Sequence, residues 1–150
     1  MDLPRTDYHL RRDNPVELLF WGKFPLERAT SFFYYRKGSD FRRILHLLKY
    51  GGQKEIGAIM GRYMAAELIE SGFFQGIDVI IPIPLHETKQ RIRGYNQSEW
   101  IARGIAAVTG IPVDTKLLYV GNIRKRKRVN LFLNVGRMWR ESSNCIMLNP

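Results

Sequence analysis

The stretch DVIIPIPLHETKQRIRGYNQSEWIARGIAAVTG, residues 78–110, decides the fold that we expect for this chain. It opens with an apolar, β-branched run from Val79 to Ile83, which predicts a parallel strand buried on both faces. Pro82 and Pro84 end this strand, because proline has no backbone donor. Apolar residues return at helical spacing over residues 98–109. The stretch therefore predicts a strand, a polar loop and a helix.

Two further helices are predicted before this unit. The first follows a turn and N-cap at residues 38–40, runs from Phe41 to Tyr50 and is stopped by Gly51 and Gly52. The second covers about residues 54–69, where Gly57 and Gly61 permit close approach of a neighbour. The residues expected to face inward from the second helix are Ile56, Ile59, Met60, Tyr63 and Leu68. The run ATSFFYYR, residues 29–36, has the composition of a strand. This order of helices and strands predicts an α/β layer fold with a parallel sheet flanked by helices.

The N-terminal part of the chain carries weaker signals. Residues 2–14 are polar and mixed in charge, so we expect a poorly ordered lead-in. Residues 16–24 are apolar and aromatic, and are compatible either with a short helix or with a loop packed on the sheet. Residues 1–28 are accordingly treated as a lead-in segment.

Length and composition narrow the class of protein. A chain of 150 residues with 45% hydrophobic content can bury one core. The sequence contains neither an uncharged stretch long enough for a membrane span nor the apolar core of a signal peptide, so we expect a soluble, cytoplasmic protein without membrane contact. A single cysteine, Cys145, excludes an internal disulfide and a cysteine-based zinc site, and we expect no metal held by the protein alone.

The net charge of +10 is concentrated in the C-terminal part of the chain. From residue 116 onward, eight lysines and arginines face one acid, a balance of +7, whereas residues 1–115 carry 16 cations and 13 acids, a balance of +3. The dense run at residues 124–128 is compatible with binding of single-stranded DNA. Aromatic residues for base stacking are sparse there, with Phe132 and Trp139 nearby.

The polar loop between the predicted strand and helix has the composition of an anion site. Arg91, Arg93, Asn96 and Gln97 precede a helix N-terminus, and cations, amides and backbone donors at that place suit a phosphate or pyrophosphate. The alternative is a solvated loop, since no Walker or dinucleotide glycine pattern is present. His86 is a candidate acid or base, but a lone loop histidine is more often polar surface.

Two segments of the sequence carry a family resemblance: FRRILHLLKYGG, residues 41–52, and IIPIPLHETKQRIRGYNQSEWIARGIA, residues 80–106. Together they resemble the competence-protein ComF family of phosphoribosyltransferase-like proteins. The family shows a helix ending in Lys-Tyr-x-Gly, a strand ending in Pro-Val/Ile-Pro-Leu-His, and an Arg-Gly-Tyr/Phe-Asn-Gln loop. The resemblance covers roughly residues 30–115.

This resemblance implies a type I phosphoribosyltransferase fold that binds phosphoribosyl pyrophosphate with Mg²⁺. Arg91 and Arg93 would meet phosphate charge, Asn96 and Gln97 would fix the loop, and Lys49 is a secondary candidate. The full set of residues implied for the pyrophosphate loop is Pro84, Leu85, His86, Arg91, Arg93, Gly94, Tyr95, Asn96 and Gln97. Competence proteins are further expected partners.

The chain also departs from the family pattern. The family's N-terminal zinc ribbon, its Thr-Gln-Thr flexible loop and its paired-Asp loop for the ribose 5-phosphate are all missing from the sequence. We therefore expect a partial domain at residues 29–118, incomplete at its C-terminus, that is inactive as a transferase. The alternative is a non-catalytic accessory protein for DNA uptake. The later strands of the family would be lost, so we also expect an open edge on the strand at residues 79–83 and self-association.

Residues 119–150 are interpreted as a tail translated out of frame. When residue 125 onward is back-translated with chosen synonymous codons and read one base earlier, it can yield KTQTRKSVFERWENVEGIFELHNAES, which resembles the family's flexible loop and the segment after it. Met138 and Trp139 have single codons, which limits the freedom of this choice. The hypothesis places a frameshift between about residues 117 and 124, and the encoding DNA decides it.

Overall fold

The computed structural model describes residues 5–23, 26–34, 40–118 and 145–148. A 3-10 helix, Tyr8–Leu10, is followed by the helices α1 (Pro15–Phe20), α2 (Asp40–Tyr50) and α3 (Glu55–Glu70). The strand β1 (Val79–Pro82) comes next, then α4 (Glu87–Arg93), α5 (Gln97–Thr109) and the strand β2 (Cys145–Leu148). No helix of the described ranges is long and apolar enough to cross a lipid bilayer.

The described chain is a mixed structure of helices and short strands. β1 pairs in parallel with β2, with Ile80 opposite Ile146. The backbone N–H of Ile80 also donates to Pro112 at 2.9 Å, and its carbonyl accepts from Asp114 at 3.0 Å. A multi-stranded parallel sheet flanked by helices, as predicted, is not found in the described residues. The predicted open edge of β1 is not found there either, because β1 pairs with both β2 and the segment around Val113.

The core lies where α3 and α5 cross beside β1. Its fully buried members are Ala65, Ile80, Ala102 and Ile105. A Cβ placed on Gly61 would lie 2.1 Å from the carbonyl oxygen of Ile101, and one on Gly104 would lie 2.2 Å from that of Ala58. The two helices therefore touch backbone to backbone, as the glycines of the second predicted helix indicated.

The buried face of α3 is narrower than predicted. Leu68 is buried as expected, but Ile59 and Tyr63 are exposed, with 48% and 65% of their surface accessible. Gly57, Gly61 and Ala65 take their place against α5. The close approach of the helices leaves room only for small residues in the contact, so the larger apolar side chains of α3 point elsewhere.

The N-terminal segment is packed, which corrects the prediction of a poorly ordered lead-in for its described residues. Asn14 is buried; its Oδ1 accepts from the backbone N–H of Val16 and Glu17 at the start of α1, and its Nδ2 donates to the carbonyl of Ala29 at 2.8 Å. Arg28 donates to the carbonyls of Ser71 and His9 and lies 5.0 Å from the ring of Phe73. Hydrogen bonds from the buried Asn14 and the half-buried Arg28 thus hold this segment against the rest of the fold.

The strand predicted at residues 29–36 is not formed in the part that the structure describes. Residues 29–34 contain a single antiparallel bridge, between Phe33 and Arg5, and residues 35–36 lie outside the described ranges. The aromatic side chains pair with neighbours instead: Phe32 and Phe33 form an edge-to-face contact at 4.5 Å, and the Tyr34 hydroxyl bonds that of Tyr8 at 2.9 Å. Residues 29–34 have the composition of a strand, but among the described residues they meet no neighbouring segment that continues the backbone pairing beyond this one bridge. A strand therefore does not form there.

Candidate functional site

The loop predicted between β1 and α5 folds as a short helix with a cap at each end. His86 caps α4, because its Nδ1 accepts from the backbone N–H of Thr88 at 3.3 Å. Gly94 ends α4 with a φ of 78°, a conformation that other residues rarely adopt. The sequence prediction of an irregular loop is therefore wrong for Glu87–Arg93, where a helical turn brings Arg93 next to the start of α5.

Asn96 ties the site to the strand. Its Oδ1 accepts from the backbone N–H of Ser98 at 3.1 Å and so caps α5, while its Nδ2 donates to the carbonyl of Ile83 at 2.9 Å. Asn96 is 8% exposed. One buried amide thus fixes the end of β1 to the N-terminus of α5.

Arg93 and Tyr95 connect the site to α2. The guanidinium of Arg93 donates to Oε1 of Gln97 at 2.9 Å and lies 5.5 Å from the ring of Tyr50. The hydroxyl of Tyr95 donates to the carbonyl of Leu48 at 2.5 Å. Burial raises the pKa of the Tyr95 phenol, the carboxylate of Glu55 raises it further, and Arg93 opposes the shift.

A pocket of about 420 Å³ opens between the turn after α2 and the start of α5. Its size is within the range of small-molecule sites in proteins. Its lining combines two cations, one acid, three polar side chains, an aromatic ring and glycine backbone: Gly52, Lys54, Gln90, Arg93, Gly94, Tyr95, Asn96, Glu99 and Trp100.

The predicted site residues divide into two groups. Arg93, Gly94, Tyr95 and Asn96 line the pocket, and Gln97 is buried directly beneath Arg93. The others are not among the lining residues of the described chain: Pro84, Leu85, His86, Arg91 and Lys49. The half-buried Lys49 lies on α2 between Leu48 and Tyr50, the residues that contact Tyr95 and Arg93.

Arg91 and Arg93 differ although the sequence treats them alike. The side chain of Arg91 is 84% exposed and lies 3.9 Å from Glu87, one turn earlier on the solvent side of α4. A pair with that exposure contributes little to stability. Two positions along a helix turn a side chain by about 200°, so only one of the two arginines can face the pocket.

Five lining residues were not predicted as site residues from sequence: Gly52, Lys54, Gln90, Glu99 and Trp100. Trp100 was assigned to the apolar face of its helix, and Gln90 and Glu99 have no local pattern that marks them. Lys54 follows the glycine pair that ends α2, and only the packing of that turn on α5 places it near the pocket. The lone signal available was the proximity of Lys54 to the Lys-Tyr-x-Gly motif.

The pocket offers few ligands for a metal ion. Among the described residues, no group of three or more histidine, cysteine, aspartate or glutamate side chains could hold one. Glu99 is the carboxylate of the lining, and it accepts from Arg103 at 3.0 and 2.7 Å through Oε1 only. Mg²⁺ that is bound mainly through ligand phosphates needs just one or two carboxylates, so the residues fit an ion that arrives with its phosphate.

Comparison of the chain with protein-family models, with curated proteins and with solved structures found no match. The basic run at residues 124–128 and most of the range predicted for the frameshift lie outside the described residues. The predictions that rest on them stay predictions.

Proposed function

We propose that this chain is a partial ComF-type phosphoribosyltransferase-like domain that binds phosphoribosyl pyrophosphate, or a related nucleotide, through the pyrophosphate group. The observation that supports the proposal is the placement of Arg93 in a polar pocket beside the capped N-terminus of α5. A fixed guanidinium next to a helix N-terminus is a suitable partner for a phosphate, since both attract negative charge. The proposal includes the multi-stranded parallel sheet that is typical of this fold.

The contacts of Arg93 leave its positive charge available. Its hydrogen-bond acceptor is the neutral amide of Gln97, and its second contact is the face of the Tyr50 ring. Both contacts hold the guanidinium in place without neutralising it, because neither partner carries a charge. An anion that enters the pocket would therefore meet a positioned cation, at little entropic cost for ordering the side chain.

The proposed chemistry is limited to binding. In phosphoribosyl transfer, cations stabilise the departing pyrophosphate while a nucleophile attacks the ribose, and Mg²⁺ neutralises phosphate oxygens when it is bound. The residues of this chain supply Arg93 for one end of such a substrate, while Asn96 fixes the loop and Gln97 holds the guanidinium of Arg93. The sequence lacks the paired-Asp loop for the ribose phosphate, so we predict no turnover by the chain as written.

Thermal denaturation with ligand tests the proposal. Phosphoribosyl pyrophosphate with Mg²⁺ should raise the melting temperature of the full chain, by an amount that grows with ligand concentration. Arg93→Ala should abolish the rise, and the control Arg91→Ala should preserve it, because Arg91 faces solvent on α4. An equal loss in both variants, or no rise in the unmodified chain, would refute the assignment.

Measured transferase activity above background would separately overturn the predicted lack of turnover.

Binding of single-stranded DNA is the alternative function, and it would fall steeply with salt concentration. Sequencing the encoding DNA around codons 117–150 tests the proposed frameshift: codons that cannot yield the family peptide in the neighbouring frame would exclude it.

A further inference from the structure

Lys54 enters the same pocket as Arg93 from a different part of the chain. It lies at the N-cap position of α3, just after the turn that follows α2, and its side chain makes no capping hydrogen bond there. The ammonium Nζ instead lies 4.8 Å from the centroid of the Trp100 ring on α5. This distance is within the range of a cation–π contact, so the aromatic ring holds an otherwise exposed lysine beside the pocket.

The charges around the pocket leave a positive balance. Glu99 is compensated by Arg103, which contacts its carboxylate twice from the next turn of α5. Glu55, at the exposed start of α3, is the other acid that acts on the site, through its effect on the Tyr95 phenol. Lys54, Arg93 and Arg103 together outnumber these two acids by one. An anionic ligand is therefore favoured.

We infer that Lys54 is a second cationic anchor for a diphosphate group, and that Trp100 is the residue that positions it. This inference rests on the proposed function, because it assigns the Arg93 pocket to the same ligand. Arg93 reaches the pocket from α4 and Lys54 from the turn before α3, so the two cations approach it from separate elements. A diphosphate carries charge on two phosphorus centres and can engage both cations, whereas a single phosphate offers one centre.

Binding of inorganic pyrophosphate and inorganic phosphate to the full chain, measured by calorimetry at low salt, tests the inference. We expect pyrophosphate to bind more tightly than phosphate. Lys54→Ala should weaken pyrophosphate binding by about tenfold or more, the loss expected for a charge-assisted hydrogen bond. Arg91→Ala is the matched control, since it removes the same charge from the solvent side of α4, and it should change affinity by less than about twofold.

The role of Trp100 has its own readout. Trp100→Leu should weaken pyrophosphate binding, but the double variant with Lys54→Ala should bind no more weakly than Lys54→Ala alone, because Trp100 acts through Lys54. Additive losses would overturn the positioning role. Circular dichroism of each variant establishes that the helices are retained.

The outcomes separate the inference from the proposal beneath it. If Arg93→Ala abolishes pyrophosphate binding while Lys54→Ala behaves like Arg91→Ala, the inference is wrong and the proposed function stands. If pyrophosphate binds no better than phosphate, the diphosphate assignment is overturned. If the unmodified chain binds neither pyrophosphate nor phosphoribosyl pyrophosphate, both are overturned.

Discussion

Replacement of Gly61 by alanine should destabilise the protein, although alanine is the better helix former. A Cβ at this position would lie 2.1 Å from the carbonyl oxygen of Ile101 and 3.0 Å from the Cα of Gly104. Both obstructing atoms belong to the backbone of α5, so no side-chain rotation relieves the clash. Cβ atoms are essentially never found closer than 3.0 Å to another heavy atom, and the distance from this Cβ to the Ile101 oxygen is about 0.9 Å below that limit.

The size of the destabilisation follows from how far α3 and α5 must move apart to make room for the added Cβ. A gap of 0.5 to 1 Å forfeits about a quarter to a half of the dispersion energy between facing atoms. This interface contains the buried core of Ala65, Ala102 and Ile105, so overpacking should cost about 3 kcal/mol, the upper end of the usual range. Removal of glycine returns about 1 kcal/mol of helix propensity. We therefore expect the free energy of unfolding to fall by about 2 kcal/mol.

Urea denaturation followed by circular dichroism measures this change. The control is Ala107→Gly on the exposed side of α5, which should cost about 1 kcal/mol through helix propensity alone. Gly104→Ala should resemble Gly61→Ala, because its Cβ would lie 2.2 Å from the carbonyl oxygen of Ala58. The double variant should lose less than the sum, since the first substitution already separates the helices. An increase in stability in Gly61→Ala would refute the described contact.

Three further predictions concern the capped loop, the phenol and the N-terminal segment. Asn96→Ala removes the cap of α5 and leaves the carbonyl of Ile83 without its donor, so urea denaturation should show a loss of about 2 kcal/mol; unchanged stability would contradict this role. The pKa of the Tyr95 phenol is higher in the folded protein than the ordinary value of 10.0, so this phenol ionises first in the unfolded protein as pH rises. The stabilisation that the neutral Tyr95 phenol provides is therefore complete below pH 10.0 and is lost as pH rises through the folded pKa. Tyr95→Phe should flatten the decline in urea midpoint above pH 10.0, and an unaltered slope would exclude the effect. Arg28→Ala removes the hydrogen bonds to His9 and Ser71, so amide hydrogen exchange should accelerate in residues 8–14 while α5 stays protected; equal acceleration in both would indicate global destabilisation instead.

Local sequence patterns predicted the elements that form the core of the described structure. The bounds of α2, α3, β1 and α5 agree with the predictions to within one residue, because apolar periodicity, caps and glycine stops act over a few neighbouring positions. The pattern was less informative where partners are distant. Residues 29–34 look like a strand but form a single bridge, and residues 5–14 look unstructured but bury His9 and Asn14.

The candidate site shows the same division. The sequence by itself determined that residues 84–97 carry cations, amides and a glycine ahead of a helix, which is the chemistry of an anion site. Only the tertiary structure decided that Arg93 faces the pocket while Arg91 faces solvent, and that Lys54, 39 positions before Arg93, lines the same pocket. The physical reason is that residue type and spacing act locally, whereas a pocket depends on which helices pack together. Here the glycines of α3 and α5 allow that packing, because they bring the turn before α3 against the start of α5.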